Sequence, residues 1–550
     1  MHESFDCDVC VIGTGAGGGI LAHELARSNL HVISLEQGEA LPDDQFTRIT
    51  PAKPRETFGI DSNTVWPSDP HDSLFIHPLF ADGRRGSTPR EPGEFQHFQI
   101  LALNGLQNLW NGVSVRFSRN DLHAWPIDYA TLAPHYSAVE ERITVCGTSE
   151  GIDELPDGVF IPPKPMRPAD LLIVEAVKSM GDPSAHAIAN RKAINTRPGT
   201  STSCVSTGIC TSGCPVGAVY KFSTRLLPDI ATRSNYDLRT HAKATRLLCS
   251  TQAQRIDGVE YLDTRNGQRH VVRAKVVVLA TGAIETPRIL FNSANQLHPG
   301  GIGNMHQQLG RNLQDNPKVV LSTSLRKLWG KRRDYDIGYG DLLILMAKAK
   351  LPDGTPFPFI GHAIHGIPET PHYLGAMRFA PPAIKERLAR SLFHSYVTLG
   401  LFCAGERVAE NRVRPGDTVD IYDVPQARID FTMPDKARLQ MDAMATWGRR
   451  VLDKAQGTRY HVTRDNSGTG IHYAGTTSMS LAPEHGVVNS DLKVHGLDNL
   501  YVCDGGVIPM LPDKHLTLTI MALAHRLGQH LTKRLDAASV TSHAHPADAR

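Results

Sequence analysis

Apolar and polar positions follow clear periods near both ends of the chain and lose them in between. The run Asp8-Val9-Cys10-Val11-Ile12 is apolar after its first residue, which predicts a strand buried on both faces, as in parallel sheets. Ile20 to Ser28 carries helical spacing, and Leu30 to Leu35 predicts a second strand that ends at Glu36. The segment 274–292, AKVVVLATGAIETPRILFN, predicts a buried strand, a glycine turn, then a helix with Pro287 in its first turns. Residues 168–181, opened by Pro168, predict an amphipathic helix. The tract 330–465 mixes strand and helix, with period-two alternation in VDIYDV and ARIDFTM. Residues 40–95 are rich in Pro, Asp and Arg and aperiodic; so long an irregular stretch predicts a functional loop or an interface arm. The final HAHPADAR is polar and predicts a frayed end.

Composition narrows the class. A chain of 550 residues, 41% hydrophobic and 21% charged, has ample core for an ordinary globular protein. By length it accommodates roughly two to four domains, or fewer if segments interleave. A net charge of +2 without a long basic run gives no support for nucleic-acid binding. No apolar stretch reaches the ~18 residues of a membrane span, and MHESFDCDVCVIG lacks the charged start of a secretion signal. Cytoplasmic residence is the resulting expectation. Nine cysteines, an odd number in a large chain, argue against a disulfide framework.

Chemistry enters with Gly13-x-Gly15-x-x-Gly18. The motif follows a strand and opens a helix, and Glu36 closes the next strand about 20 residues on. Glycines there allow a tight turn and bring backbone N–H groups close to a pyrophosphate. The helix N-terminus favours that charge, and the Glu36 carboxylate can accept ribose hydroxyls. An unphosphorylated ribose fits FAD or NAD, and the motif does not separate them. Near the other end, His472 in GIHYAGTTSM and His515 in DKHLTLTIMALA flank NLYVCDGGVIP. Two imidazoles joined by a strand-turn-helix return are what removal of a hydroxyl proton beside a hydride acceptor requires.

The stretch VVVLATGAIETPRIL, then LGRNLQDNP and the C-terminal segment, resembles the glucose–methanol–choline (GMC) flavoprotein oxidoreductases. Its strongest pieces are Gly282 to Pro287, Gly310-Arg311-Asn312, Asp315-x-Pro317 and Asn499-Leu500-Tyr501-Val502-x-Asp504-Gly505. Within the family, GLQNLWNGVSVRFSRNDL looks most like pyranose oxidases, glycoside oxidases and bacterial sugar dehydrogenases. The resemblance implies an α/β fold, α+β overall, in which a Rossmann-like FAD domain interleaves with a sheet-based substrate domain. The expected division is 1–125, 200–325 and 466–550 for FAD, with 126–199 and 326–465 for substrate. It implies extended FAD with its adenosine end at the Gly13 turn and Glu36, the adenine near Ala244, and the flavin near Asn108, Trp110, Asn111 and Gly112. Asp504, Gly505 and Thr517 complete the implied cofactor contacts. His472 stands at the family's usual base, taking a hydroxyl proton while hydride leaves the same carbon for flavin N5. His515 stands where the family has His or Asn, as a hydrogen-bond donor that orients the hydroxyl. The implied reaction oxidises a sugar or glycoside hydroxyl to a carbonyl, with electrons passing to oxygen, a quinone or another acceptor. A homo-oligomer is compatible with the chain.

Departures matter as well. Pyranose oxidases often tether FAD through a histidine before the tryptophan; Leu109 precedes Trp110 here, so non-covalent FAD is expected. Asn104-Gly105 replaces the usual glycine pair, and Asn316 replaces a common histidine, with a structural effect only expected. Cys204-x5-Cys210-x3-Cys214 suits either tight packing in a glycine-rich turn or three ligands of a 3Fe–4S cluster, as in sugar dehydrogenases that feed a cytochrome partner. A cyanohydrin-cleaving lyase with a redox-silent flavin is the other alternative. His97, His123 and His525 read as packing or surface residues.

Overall fold

A computed structural model describes residues 5–41, 95, 97–206, 210, 214, 216–250, 254–331, 343–365, 377, 379–392, 395–464 and 468–543. Residues 42–94 of the aperiodic stretch, and 544–550 of the polar tail, lie outside the described residues.

The fold is mixed α/β, built on two main sheets. In the first, β1 (Cys7–Ile12) pairs in parallel with β2 (Val32–Leu35), and β2 in turn with β4 (Tyr236–Arg239). On its other side β1 meets β7 (Arg269–Leu279), Val9 facing Val276 and Ile12 facing Leu279. The long β7 serves two neighbourhoods. Its first half pairs antiparallel with β6 (Ile256–Asp263), which continues to β5 (Ala242–Cys249). Its buried second half also takes β15 (Leu500–Val502) in parallel, Tyr501 facing Val278. The apolar runs of β1, β2 and the VVVL of β7 are buried throughout, as fully covered parallel strands should be. Helices α1 (Ala16–Ala26) and α6 (Thr517–His543) pack together in this layer. So does α2 (Tyr129–Ile143), whose Leu132, Tyr136, Val139 and Ile143 join the same core. Thus α2 sits with the first sheet, although its residues lie in the tract expected to serve substrate.

The second sheet is antiparallel, in the order β14 (Gly457–Thr463), β8 (Lys318–Leu325), β11 (Tyr396–Cys403), β10 (Pro356–His365), β9 (Leu343–Lys350), β3 (His186–Ala189). The change from first to second sheet therefore comes before β8, ahead of residue 326. Helices α3 (Pro168–Lys178) and α5 (Asp435–Lys454) cover one face, where Phe357, Phe359 and Ala363 of β10 and Val397, Leu399, Leu401 and Cys403 of β11 form a core with Met444 and Trp447. Side chains alternate along a strand. The remaining parity therefore puts Lys318, Ile360, His362 and Phe402 on the other face. That face looks toward the candidate site.

One sequence reading fails locally. VDIYDV alternates, yet only Val419 belongs to a strand, β12 (Arg412–Val419); β13 resumes at Pro425–Asp430. Between them the Asp420 carboxylate accepts the Tyr422 and Val424 N–H groups and pairs with the buried Lys243 ammonium, closing a turn where alternation suggested strand.

Candidate active site

The first turn is built by close approach. A β-carbon at Gly18 would lie 1.9 Å from the Gly13 carbonyl oxygen, and one at Gly17 2.0 Å from that of Cys503. These glycines let α1 press onto β1 and β15. Gly15 differs: a β-carbon there would meet only the Asn104 oxygen at 3.9 Å, so its backbone is open to a ligand. Glu36 accepts hydrogen bonds from Thr14 N (3.1 Å), Thr14 Oγ1 (2.5 Å) and Gly38 N (3.1 Å), while burial pushes its carboxyl above the usual range.

Gly13, Gly15 and Glu36 line one long cavity of about 420 Å³, together with Trp110, Asn111, Ala244, Asp504, Gly505, Thr517, His472 and His515. Gly18, Asn108 and Gly112 are not in its lining. Gly18 underlies the turn; Asn108 donates to the Leu103 and Gly105 carbonyls (both 2.9 Å); the Gly112 carbonyl accepts from Ala193 N (2.7 Å). Asp504 ties the cavity wall together, accepting from Thr286 Oγ1 (2.5 Å), Gly282 N (3.0 Å) and Gly506 N (2.8 Å). Several buried polar atoms in the lining lack a partner among the described residues: Gln99 Oε1, both amide atoms of Gln107, Trp110 Nε1, Arg288 Nη1 and His515 Nδ1. Each orphan costs roughly 1–3 kcal/mol unless something bonds to it. A polar cofactor with many hydrogen-bonding groups, such as FAD, fits this lining and the open backbone at Gly15. His97, read from sequence as packing, also lines the cavity; His123 is exposed, and His525 is buried with its Nδ1 2.9 Å from His135 Nδ1.

At one part of the cavity three imidazoles meet. The His472 and His515 ring centroids are 4.7 Å apart, as are those of His515 and His362. Phe402 presents itself to all three, with centroids 5.6, 4.8 and 5.9 Å away. The motif Asp315-Asn316 grips His472 from two sides. The Asp315 carboxylate accepts the backbone N–H of His472 and of Gly470 (both 2.8 Å), and burial raises its pKa to about 6. Asn316 Oδ1 stands 2.8 Å from His472 Nδ1. Its amide nitrogen donates to the Cys403 (2.6 Å) and Pro512 (2.8 Å) carbonyls, which fixes the amide orientation. The oxygen must then accept, so the His472 proton sits on Nδ1 and the Nε2 lone pair remains available as a base. Sequence reasoning gave Asn316 a structural effect only; its contact to the ring went unseen because no motif encodes it. We expect Asn316→Ala to slow flavin reduction roughly tenfold, about the loss of one hydrogen bond, and to lower the unfolding temperature by orphaning two carbonyls. Stopped-flow reduction and thermal melts check this.

Burial, with Lys318 and His362 nearby, pulls the His472 pKa from 6.5 to about 3, and burial with His362 and His472 pulls His515 well below its ordinary value. Burial does the same to His23, from 6.5 to about 4. As pH falls below 6.5 the unfolded chain gains protons that these folded rings refuse, so the rings' contribution to stability is full above 6.5 and is lost toward about 4, while the raised Asp315 carboxyl contributes in the opposite direction below about 6. Each pH unit in that window costs up to ~1.4 kcal/mol per such ring. Thermal melts across this range check the decline. Beside His515, the Lys514 ammonium bridges Asp121 and Asp513 (both 2.9 Å), anchoring the segment that enters α6.

The cysteine trio lies elsewhere. Cys204 and Cys210, partly buried, pack against a small cluster of Cys146, Ile194, Cys214, Ala218 and Val219. Among the described residues no three His, Cys, Asp or Glu side chains are placed to hold one metal ion. No helix among them is long and apolar enough to cross a membrane.

Family models described as GMC oxidoreductase match residues 111–318 and 408–524. The chain is 27% identical over 545 residues to 6'''-hydroxyparomomycin C oxidase of Streptomyces lividus, covering 96% of this chain and 92% of that one. It is 29% identical over 326 residues to a C-glycoside 3-oxidase of Microbacterium trichothecenolyticum, covering 58% of each. Among solved structures, pyridoxine 4-oxidase from Mesorbium loti superposes with a TM-score of 0.63 at 18% identity, covering 96% of this chain and 99% of that one, which establishes the shared fold. With a fold, an N-terminal and a C-terminal match all in agreement, the chain belongs to the GMC oxidoreductases, a family of FAD-binding flavoenzymes.

Proposed function

We propose that this oxidoreductase converts a hydroxyl of a sugar or glycoside to a carbonyl, with His472 as the base and His515 as the hydrogen-bond donor that holds the reacting oxygen. The observation that carries this reading is the fixed tautomer of His472: with Nδ1–H given to Asn316, Nε2 is the basic atom beside the second imidazole. Bound FAD supplies the hydride acceptor. The protein holds the alcohol, keeps His472 neutral so that it can take the hydroxyl proton at Nε2, and excludes water by packing Phe402 against the rings. The Gly13 turn and Glu36 hold the adenosine end in this reading, with Asp504, Gly505 and Thr517 along the rest. Leu109 lines the cavity before Trp110 and has no group to form a covalent tether, which supports non-covalent FAD. The acceptor of the electrons is oxygen, a quinone or another acceptor.

The substrate class rests on relatives named as a 6'''-hydroxyparomomycin C oxidase and a C-glycoside 3-oxidase. The test is turnover of D-glucose, D-fructose, methyl β-D-glucopyranoside and 1,2-propanediol, with NMR identification of products. Carbonyl products from a sugar or glycoside are expected. Turnover of the diol alone would remove the sugar assignment and leave the oxidoreductase standing.

A further inference from the structure

Behind His515, on the inner face of the second sheet, stands a buried histidine that no motif marks. His362 Nε2 lies 3.0 Å from His515 Nε2, and its Nδ1 lies 3.2 Å from the amide nitrogen of Asn190. Two neutral imidazoles facing each other through Nε2 share one proton between those atoms. The structure turns the Asn190 amide nitrogen toward His362 Nδ1, and that orientation assigns the proton to one ring. An N–H aimed at His362 Nδ1 makes that atom an acceptor, so His362 carries its proton on Nε2 and donates it to His515 Nε2. Neutral His515 then carries its own proton on Nδ1. That atom is buried without a partner among the described residues, within a residue that lines the cavity, so a hydroxyl must approach closely to receive its proton.

We propose that His362, set by Asn190, is a positioning residue that locks His515 in its Nδ1–H tautomer, so that His515 presents a donor and His472 an acceptor to one substrate hydroxyl. The assignment rests on the roles proposed above for the two rings. It explains why a donor and a base of the same residue type do not interchange: one is set by an amide oxygen at Asn316, the other by an amide nitrogen at Asn190 relayed through a third ring. No net proton moves along the relay during turnover. The Nε2 proton of His362 stays in place, and the substrate proton goes to His472.

The direct test is nitrogen NMR of the FAD-loaded protein carrying isotope-labelled histidine, with His515→Asn and His362→Gln used to assign signals. His515 is expected as the Nδ1–H tautomer. Asn190→Asp would put an acceptor against His362 Nδ1 and reverse the relay, so His515 should switch to Nε2–H. His362→Leu should leave a mixture and lower kcat/KM roughly tenfold for whichever panel sugar reduces the wild type. His362→Gln, whose amide can still donate, should recover most of that loss. A wild-type Nε2–H tautomer of His515, or a tautomer unchanged in both Asn190→Asp and His362→Leu, would overturn the proposal. Equal impairment by leucine and glutamine at 362 would also overturn it, reducing His362 to packing. His515→Ala separates the two levels: unchanged turnover there removes the donor role itself, whereas impaired turnover with an unaffected His362→Leu removes only the relay.

Discussion

Replacement of His472 by alanine is expected to slow sugar-dependent flavin reduction by roughly 10²–10⁴-fold while leaving FAD content unchanged. The ring contacts Asn316, Phe402 and His515, away from the Gly13 turn and Glu36, so its removal is expected to spare flavin binding. The backbone grip of Asp315 on residue 472 survives the change, because it bonds the main-chain N–H. The pH dependence has a definite sign. In the proposed mechanism the neutral ring is the active form, and surroundings hold its pKa down from 6.5 to about 3. The wild-type reductive rate should therefore stay level as pH falls through 6.5, and drop only where the protein itself begins to unfold. A rate that halves near 6.5 would show that His472 titrates like a free imidazole. Stopped-flow reduction of wild type and variant across pH measures both effects.

The second large effect belongs to the first turn. Gly18→Ala would drive a β-carbon to 1.9 Å from the Gly13 carbonyl oxygen, a backbone atom with no rotamer to yield. Overpacking of this kind costs about 1–3 kcal/mol, and more where backbone must shift. The shift would part α1 from β1 at the point where FAD is expected to approach. The variant should lose most of its flavin and melt several degrees lower. Gly15→Ala is the informative contrast. Its β-carbon meets only one atom, at 3.9 Å, but points toward open cavity, so this variant should fold normally and still bind FAD more weakly. The flavin-to-protein absorbance ratio and the melting temperature distinguish the two. Equal melting losses in both would mean that the turn glycines serve packing alone.

What could be read from the chain was local. β1, the glycine turn and β2 follow from uninterrupted apolar runs around glycines, and α3 from helical spacing after Pro168. His472 and His515 were legible because motifs surround each. His362 was not, because its meaning depends on a partner 153 residues away and on which strands flank it. Its segment PFPFIGHAIH shows one apolar parity in Phe357, Phe359 and Ala363, so the other parity holding His362 was readable, but not what that face meets. Asn316 sat inside a recognised motif with its role unread, since the two carbonyls that orient its amide come from Cys403 and Pro512. VDIYDV misled because Asp420 offers the backbone a turn and a buried lysine instead of a strand. The expected domain limits missed that β8 pairs in the second sheet and that α2 packs under the first, both consequences of long-range pairing that local period cannot carry.

In the proposed reaction an alcohol gives its hydroxyl proton to His472 and the hydride of the same carbon to bound FAD. Anaerobic mixing of the FAD-loaded protein with a sugar panel, each sugar also supplied with deuterium on the oxidised carbon, tests it directly. Bleaching of the oxidised-flavin band is expected, slower with deuterium and nearly abolished in His472→Ala. An oxidised-flavin spectrum unchanged by every hydroxyl compound, with mandelonitrile cleaved by the same protein, would contradict it.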